Sequence, residues 1–303
     1  MTAIAAYSDE EVADSLAADP GVRAVQRWDF EGSPPASRVD LLVLPPAFPA
    51  ERLPVLRGLT IGLVQSQAIG FEGVREHLPP GNLFANAASV HEPATAELAV
   101  ALTLASQRDL PAYVRHAGHR RWEPRRSPGL WGKTVLLVGY GGVNRGVEQR
   151  LAPFGVDIVR VALRARGAPR VHAADDLMGL LPTADVVIVC VPLSASTRGL
   201  VDAAFLARVK DGALIVNVAR GAVADTEAIV REAETGRLRF ALDVVEPEPL
   251  PEPNALWALP NVLISPHVGS ATDAMRPYLR ELLRRQVQLI RGGEHPLNIV
   301  IRT

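Results

Sequence analysis

The chain has 303 residues, of which 48% are hydrophobic and 21% are charged. This length allows two domains that each bury a core, and the composition excludes a largely disordered protein. A formal net charge of -1 gives no electrostatic basis for binding nucleic acid or a membrane surface. Because Cys190 is the only cysteine and no apolar run approaches ~18 residues, we expect a cytoplasmic protein without disulfides or membrane spans.

The first part of the chain alternates short apolar segments with polar or proline-rich ones. This pattern predicts strands at residues 2–7, 22–25, 39–44 and 60–64. The spacing Ser8-x-x-Glu11 predicts a capping box at the start of a short helix. These elements indicate a small α/β domain.

An Ala- and Leu-rich segment follows His91. Pro93 suits the first turn of a helix, and the apolar run continues through Ala105, so we expect a buried helix that links two domains. The basic tract at residues 115–126 is typical of a solvated loop, with phosphate contact as the alternative.

The stretch TVLLVGYGGVN, residues 134–144, predicts a buried strand that breaks into a glycine turn. The pattern of residues 145–153 predicts a helix directly after the glycine turn, so the turn joins a strand to a helix N-terminus. Unpaired N–H groups and the helix dipole favour an anion there, and Gly141 lets the backbone approach a pyrophosphate. Asn144 stands where the usual third glycine is found, and we expect its side chain to loosen the helix–strand packing.

Further short apolar runs alternate with helical segments after this turn. They predict strands at 158–163, 186–191, 213–218, 240–244 and 262–264. A helix is predicted at 226–234, ending near Gly236, and a last helix at about 271–291 that packs on the first domain. Near-continuous apolar strands alternating with helices indicate a doubly wound parallel sheet covered on both faces.

Polar side chains follow several of these strands where they end. Arg220 follows one strand, Asp243 lies near the end of the next with Glu248 after it, and His267 follows the last. Because ligands of doubly wound sheets bind at the carboxyl ends of the strands, we expect these groups at one edge.

Five segments in order resemble the D-isomer-specific 2-hydroxyacid dehydrogenase family, which includes glyoxylate/hydroxypyruvate reductases. The segments are VGYGGVN at 138–144, VPLSASTRGLV at 191–201, VNVARGAVAD at 216–225, ALDVVEPEPLP at 241–251 and NVLISPHVGS at 261–270. The resemblance implies a Rossmann-type dinucleotide-binding domain at residues 93–274. It also implies a smaller flavodoxin-like substrate domain formed by residues 1–92 and 275–303.

The resemblance implies NAD(P)-dependent reduction of a 2-keto acid to a D-2-hydroxy acid, with Arg220, Glu248 and His267 as the catalytic set. A guanidinium can hold the carboxylate by two parallel hydrogen bonds, an imidazole can transfer the proton, and a carboxylate can orient the imidazole. The backbone of Ile69 and Gly70, with Arg220 and His267, would bind the substrate.

The resemblance also implies the cofactor-binding positions, with Asp243 at the nicotinamide end. They are Gly139, Gly141, Gly142, Val143, Asn144, Val191, Pro192, Thr197, Val218, Ala219, Asp243 and Gly269. Ala162 stands where an acidic residue would bind the ribose 2′-hydroxyl of NAD, and Arg164 and Arg166 follow it. We therefore predict a preference for NADP(H), with NAD(H) possible, and no metal site.

Two other functions stay open. The chain could be an NAD(P)-sensing protein similar to a transcriptional corepressor, although the complete Arg220, Glu248 and His267 set argues against it. A phosphite dehydrogenase-type oxidoreductase is the second alternative. Phe71, His91 and Trp122 are candidate lining residues for the substrate, whose identity the sequence leaves open, and the resemblance implies a homodimer.

Overall fold

The computed structural model describes residues 1–6 and 9–303. Its strands are β1 (Thr2–Ala6), β2 (Ala24–Trp28), β3 (Arg38–Val43), β4 (Thr60–Gln65), β5 (Leu83–Ala85), β6 (Thr134–Val138), β7 (Asp157–Val161), β8 (Val186–Val189), β9 (Leu214–Asn217), β10 (Arg239–Leu242), β11 (Val262–Ile264) and β12 (Ile299–Arg302). Its α-helices are α1 (Glu10–Ala17), α2 (Val74–His77), α3 (Glu92–Gln107), α4 (Leu110–Gly118), α5 (Gly142–Leu151), α6 (Leu177–Leu180), α7 (Ala203–Arg208), α8 (Thr226–Thr235) and α9 (Met275–Gly292). Backbone contacts divide the chain into a first unit, Met1–His91 with Asp273–Thr303, and a second unit, Glu92–Thr272.

The first unit is built on a sheet with strand order β12-β5-β4-β3-β1-β2. Strands β1 to β5 run parallel, whereas β12 is antiparallel to β5. The order 2-1-3-4-5 of the parallel strands is that of flavodoxin-like proteins. Leu41 and Val43 face the apolar cluster that includes α1 and α9, and Leu42 faces the opposite side, because strand side chains alternate between faces.

Helix α9 joins the first unit through a buried apolar face and a buried amide. Leu279, Leu283 and Val287, spaced by four residues, lie in the same cluster as α1. Gln286 is fully buried, and its Nε2 donates to Oε1 of Gln65 at 2.8 Å. The end of β4 is thereby fixed to the last long helix.

The second unit is built on a parallel sheet with strand order β11-β10-β9-β8-β6-β7. Because β7 and β8 both pair with β6, the strand order reverses at β6. Ligands of such sheets bind beyond the carboxyl ends of the strands at this reversal. The two sheets confirm the predicted α/β fold, with a Rossmann-like sheet and a second α/β sheet.

Several predicted boundaries differ from the structure. Tyr7 and Ser8 lie outside the described residues, and Asp9 caps α1, accepting the N–H of Val12 at 3.2 Å. The strand predicted at 22–25 lies at Ala24–Trp28, because this edge strand continues along β1 after its apolar residues end.

Other differences concern the second unit and the short strands. The basic tract at 115–126 is not all loop, since its first residues complete the amphipathic helix α4. The helix predicted at 145–153 begins at Gly142, because the glycine turn itself forms its first turn. The short strands β5 and β12 carry too few residues for a recognisable period, and the sequence did not predict them. Within the described part of the chain, no helix is long and apolar enough to cross a membrane.

Candidate active site

The glycine turn after β6 uses its first two glycines differently. Gly139 has φ of +84°, and a Cβ on it would lie 2.2 Å from the carbonyl oxygen of Cys190. Only glycine therefore allows β6 to turn against the end of β8. A Cβ on Gly141 would meet no atom within 4 Å, so space is open beside the second glycine.

Helix α5 begins at this turn without a capping side chain. Its N-cap is Gly141, and the N–H groups of Gly142, Val143 and Asn144 form the first turn. Such N–H groups carry the positive end of the helix dipole. The turn therefore fits the pyrophosphate of a dinucleotide in both shape and charge.

A carboxylate lies against the third glycine of the turn. A Cβ on Gly142 would lie 2.1 Å from Oε2 of Glu92, at the start of α3. Its negative charge lies close to the helix end that the cofactor pyrophosphate would use.

Asn144 does not loosen the packing of α5 against β6, contrary to our expectation. Its side chain is fully buried, and Nδ2 donates to the carbonyls of Gly139 at 2.6 Å and Val138 at 3.2 Å. Close packing of α5 instead involves Gly146, where a Cβ would lie 2.9 Å from the Cβ of Ala96 on α3.

Tyr140, between the first two glycines, lies among arginines. Arg166 Nη2 donates to the Tyr140 carbonyl at 3.1 Å, and the guanidinium lies 5.5 Å from the ring centroid. Arg145 and Arg160 lie 5.7 Å and 5.8 Å from the same centroid. Arg164 is exposed at the end of this region.

The remaining predicted cofactor residues follow β8 and β9. Thr197 Oγ1 donates to the Pro192 carbonyl at 2.6 Å, which fixes the segment that begins with the half-buried Val191. Val218 and Ala219 are buried directly after β9. Their contact with a cofactor stays a prediction.

The three predicted catalytic residues come from loops after three neighbouring parallel strands, β9, β10 and β11. Nδ1 of His267 lies 2.8 Å from Oε2 of Glu248. The His267 side chain is 50% exposed and the Glu248 side chain 36%, so the pair is accessible to a ligand. Arg220 follows β9, and its Nη1 donates to the Ala219 carbonyl at 2.7 Å.

Backbone contacts hold the first two of these loops together. A Cβ on Gly221 would lie 1.8 Å from the Val245 carbonyl oxygen, so the turn after Arg220 packs directly on the backbone of the next loop. The N–H of Val245 in turn donates to Oε1 of Glu248 at 3.1 Å. The position of Glu248 is thus coupled to the turn that carries Arg220.

Asp243 organises the loop that carries His267. Its buried carboxylate accepts hydrogen bonds from Ser265 Oγ at 2.6 Å, from the N–H of Val268 at 2.9 Å and from the N–H of Gly269 at 2.9 Å. The N–H of His267 donates to the Asp243 carbonyl at 2.8 Å, and His267 has φ of +51°. Whatever its contact with the cofactor, Asp243 is a positioning residue for the imidazole.

The loop after β4 in the first unit has its carbonyls turned inward. His91 Nε2 forms a hydrogen bond with the carbonyl of Gln67. The N–H of Ala87 donates to the carbonyl of Ala68, and Asn86 Nδ2 donates to the carbonyl of Ile69. Among the described residues, no acceptor takes the N–H groups of Ile69 and Gly70. Adjacent free N–H groups are a means of binding anions.

The candidate lining residues differ in exposure. His91 is 8% exposed, and its Nε2 contacts the Gln67 carbonyl, whereas Phe71 is 39% exposed. Trp122 is 96% exposed.

Burial raises the pKa of Cys190 to about 12, which does not suit a nucleophile.

Residues 100–269, more than half of the chain, match the family model "D-isomer specific 2-hydroxyacid dehydrogenase, NAD binding domain". The chain belongs to this family. A glyoxylate reductase from Thermococcus kodakarensis is 33% identical over 78% of this chain and 76% of its own length. A D-3-phosphoglycerate dehydrogenase from Methanocaldococcus jannaschii is 31% identical over 83% of this chain, which spans about half (48%) of that longer protein.

The structure of an NADPH-dependent glyoxylate/hydroxypyruvate reductase from Sinorhizobium meliloti, in complex with NADP and malonate, is similar across the chain. The TM-score is 0.80 at 26% identity, covering 99% of this chain and 96% of that one. The predicted family is confirmed, and the protein is an NAD(P)-dependent D-2-hydroxyacid dehydrogenase.

Several residues of this dehydrogenase's site were missed by sequence reasoning. The contacts of Tyr140 with Arg166 and of Glu92 with Gly142 join segments that are far apart in sequence, so no local spacing reveals them. Gly221 did carry a signal, since a glycine directly after a strand-end arginine indicates a close backbone approach.

Proposed function

We propose that this dehydrogenase reduces a small 2-keto acid, such as glyoxylate or hydroxypyruvate, to the 2-hydroxy acid, of D configuration where C2 is chiral, with His267 as the acid. The observation that carries the proposal is the 2.8 Å contact between His267 Nδ1 and Glu248 Oε2. A hydrogen-bonded carboxylate orients an imidazole and stabilises its protonated form. The second ring nitrogen, Nε2, is then the proton donor to a ligand.

The bound nicotinamide cofactor supplies the hydride that C2 of the keto acid receives. In our proposal His267 donates its Nε2 proton to the carbonyl oxygen as negative charge develops there, so the oxygen becomes the hydroxyl group. The neutral imidazole then regains a proton from water. In the reverse direction His267 accepts the hydroxyl proton.

We propose that the substrate carboxylate is bound by the Arg220 guanidinium and by backbone N–H groups of the first unit. The planar guanidinium of Arg220 can hold a carboxylate oxygen and polarise the keto oxygen. In the first unit, the inward-turned carbonyls of the Gln67–Ile69 segment support a carboxylate-binding role for the N–H groups of Ile69 and Gly70. The malonate in the Sinorhizobium meliloti relative supports a ligand with a carboxylate.

We propose a preference for NADP(H), with NAD(H) as a slower alternative. Ala162 cannot accept hydrogen bonds from a ribose 2′-hydroxyl as an acidic residue would, and Arg166, which donates to the Tyr140 carbonyl, adds positive charge beyond it. The similar Sinorhizobium meliloti reductase is NADPH-dependent.

The dimer is also a proposal. Large apolar side chains are exposed in the second unit, among them Val114 at 72% and Trp122 at 96%, and a second copy of the chain would cover them. Light scattering of the purified protein should give twice the monomer mass. We also propose that the enzyme works in the cytoplasm.

Steady-state kinetics test the proposed reaction. NADPH and NADH oxidation should be followed with glyoxylate, hydroxypyruvate and phenylpyruvate, and we expect the highest kcat/KM with NADPH and one of the smaller acids. Tight NADPH binding without turnover of any 2-keto acid would contradict an enzyme and favour a nucleotide sensor. A higher kcat/KM with NADH would contradict the cofactor preference alone.

A further inference from the structure

The ring of Tyr140 gathers positive charge beside the glycine turn. The guanidinium carbons of Arg166, Arg145 and Arg160 lie 5.5, 5.7 and 5.8 Å from its centroid. These distances are those of cation–π contacts. Arg145 lies in the first half of α5 and Arg166 in the segment after β7, so the ring connects two separate parts of the chain.

A carboxylate neutralises one of these three cations. Nε of Arg160 donates to Oε2 of Glu148 at 2.7 Å, and the Tyr140 hydroxyl donates to the same oxygen at 2.6 Å. Within residues 1–6 and 9–303, neither Arg145 nor Arg166 forms an ion pair with a carboxylate. Two positive charges on the ring are therefore uncompensated.

The ring itself is held in place by neighbours that keep their charge state near neutral pH. The hydrogen bond from Arg160 lowers the pKa of Glu148, so this acceptor stays ionised. Burial, together with the bond to Glu148, raises the pKa of Tyr140, so the phenol stays a donor. The cations thus lie on a preorganised aromatic surface.

Arg164 lacks this support. Its side chain is exposed and makes no hydrogen bond or ion pair with any described residue. An unsupported arginine loses more rotamer entropy on binding a ligand than one already held by other contacts.

We infer that Arg145 and Arg166, held on the Tyr140 ring, bind the 2′-phosphate of NADP(H), and that Arg164 contributes little. This inference rests on the proposed NADP(H) preference and identifies the residues that produce it. A phosphate dianion matches two guanidinium groups in charge and in hydrogen-bonding geometry. Tyr140 acts as a positioning residue for both cations.

Calorimetric binding of adenosine 2′,5′-bisphosphate and of 5′-AMP tests the inference without turnover, because the two probes differ only in the 2′-phosphate. We expect Arg145→Leu to weaken bisphosphate binding about tenfold and leave 5′-AMP binding unchanged. Arg164→Leu should change neither Kd more than about twofold. Arg150→Leu, on the same helix but bonded to the Gly146 carbonyl, is the matched control.

Two Tyr140 variants test the positioning role. Tyr140→Leu removes the ring and should reproduce the bisphosphate-specific loss, whereas Tyr140→Phe keeps the ring and should restore most of the affinity. A large effect of Arg164→Leu with none from Arg145→Leu would overturn the inference and leave the NADP(H) preference intact. Equal affinity of the wild type for both probes would overturn the inference together with that preference.

Discussion

Oε2 of Glu248 lies 2.8 Å from Nδ1 of His267, while Oε1 of the same carboxylate accepts the N–H of Val245 at 3.1 Å. One side chain thereby fixes its own loop and orients the imidazole of the neighbouring loop. Since these loops follow adjacent parallel strands, the pair is a direct product of the sheet topology.

Replacing Glu248 by Gln should lower kcat roughly 10²-fold with a smaller effect on KM, because a neutral amide cannot stabilise the protonated imidazole. Steady-state kinetics with hydroxypyruvate measure both constants. Glu246→Gln, an exposed glutamate in the same loop, is the control and should leave kcat unchanged. Equal effects of the two substitutions would argue against the assigned role of Glu248.

Gly221→Ala should destabilise the protein by about 2 kcal/mol or more and reduce activity, because the new methyl group would overlap the Val245 carbonyl oxygen. Urea unfolding and kcat are the measurements. Gly179→Ala is the matched control, since a Cβ there meets no atom within 4 Å and the residue lies in α6. A Gly221→Ala enzyme as stable and active as the wild type would show that this close approach is absent in solution.

Glu92→Gln should bind NADPH about threefold more tightly than the wild type, because it removes a negative charge beside the proposed pyrophosphate site. This increase in affinity for NADPH should become smaller as the salt concentration rises. Fluorescence titration of NADPH gives the Kd, and Glu97→Gln, an exposed position of the same helix, is the control. Weaker binding by Glu92→Gln would instead mean that the carboxylate supports the turn.

The thiol of Cys190 should react very slowly with a disulfide reagent at pH 8 in the folded protein. Burial raises its pKa to about 12, so the reactive thiolate is scarce below that pH. In denaturant, one thiol per chain should react rapidly with the disulfide reagent. Rapid labelling of the native protein would contradict the raised pKa of this half-buried thiol.

The sequence could predict those parts of the molecule that local pattern determines. The glycine turn, the strands with continuous apolar runs and the position of His267 after a strand all follow from short-range periodicity and composition. Asn144 shows the limit, because a buried amide that bonds the carbonyls of Val138 and Gly139 cannot be distinguished in sequence from one that obstructs packing.

Contacts between distant segments were harder to predict. Tyr140 contacts Arg145 of α5 and Arg160 of β7, and it contacts Arg166 because the segment after β7 folds back over the turn. Likewise, Asp243 could be assigned from the family resemblance to the nicotinamide end, but its hydrogen bonds to residues 265–269 depend on the pairing of β10 with β11.

Transfer of deuterium from NADPH that carries two deuterium atoms at C4 to C2 of hydroxypyruvate, followed by mass spectrometry in single turnovers, tests the role of His267 most directly. The account predicts a D-2-hydroxy acid labelled at C2 from the wild type. In His267→Gln, label transfer should be at least about 10²-fold slower with an unchanged Kd for NADPH. Equally fast transfer by His267→Gln, or product without label at C2, would contradict the account.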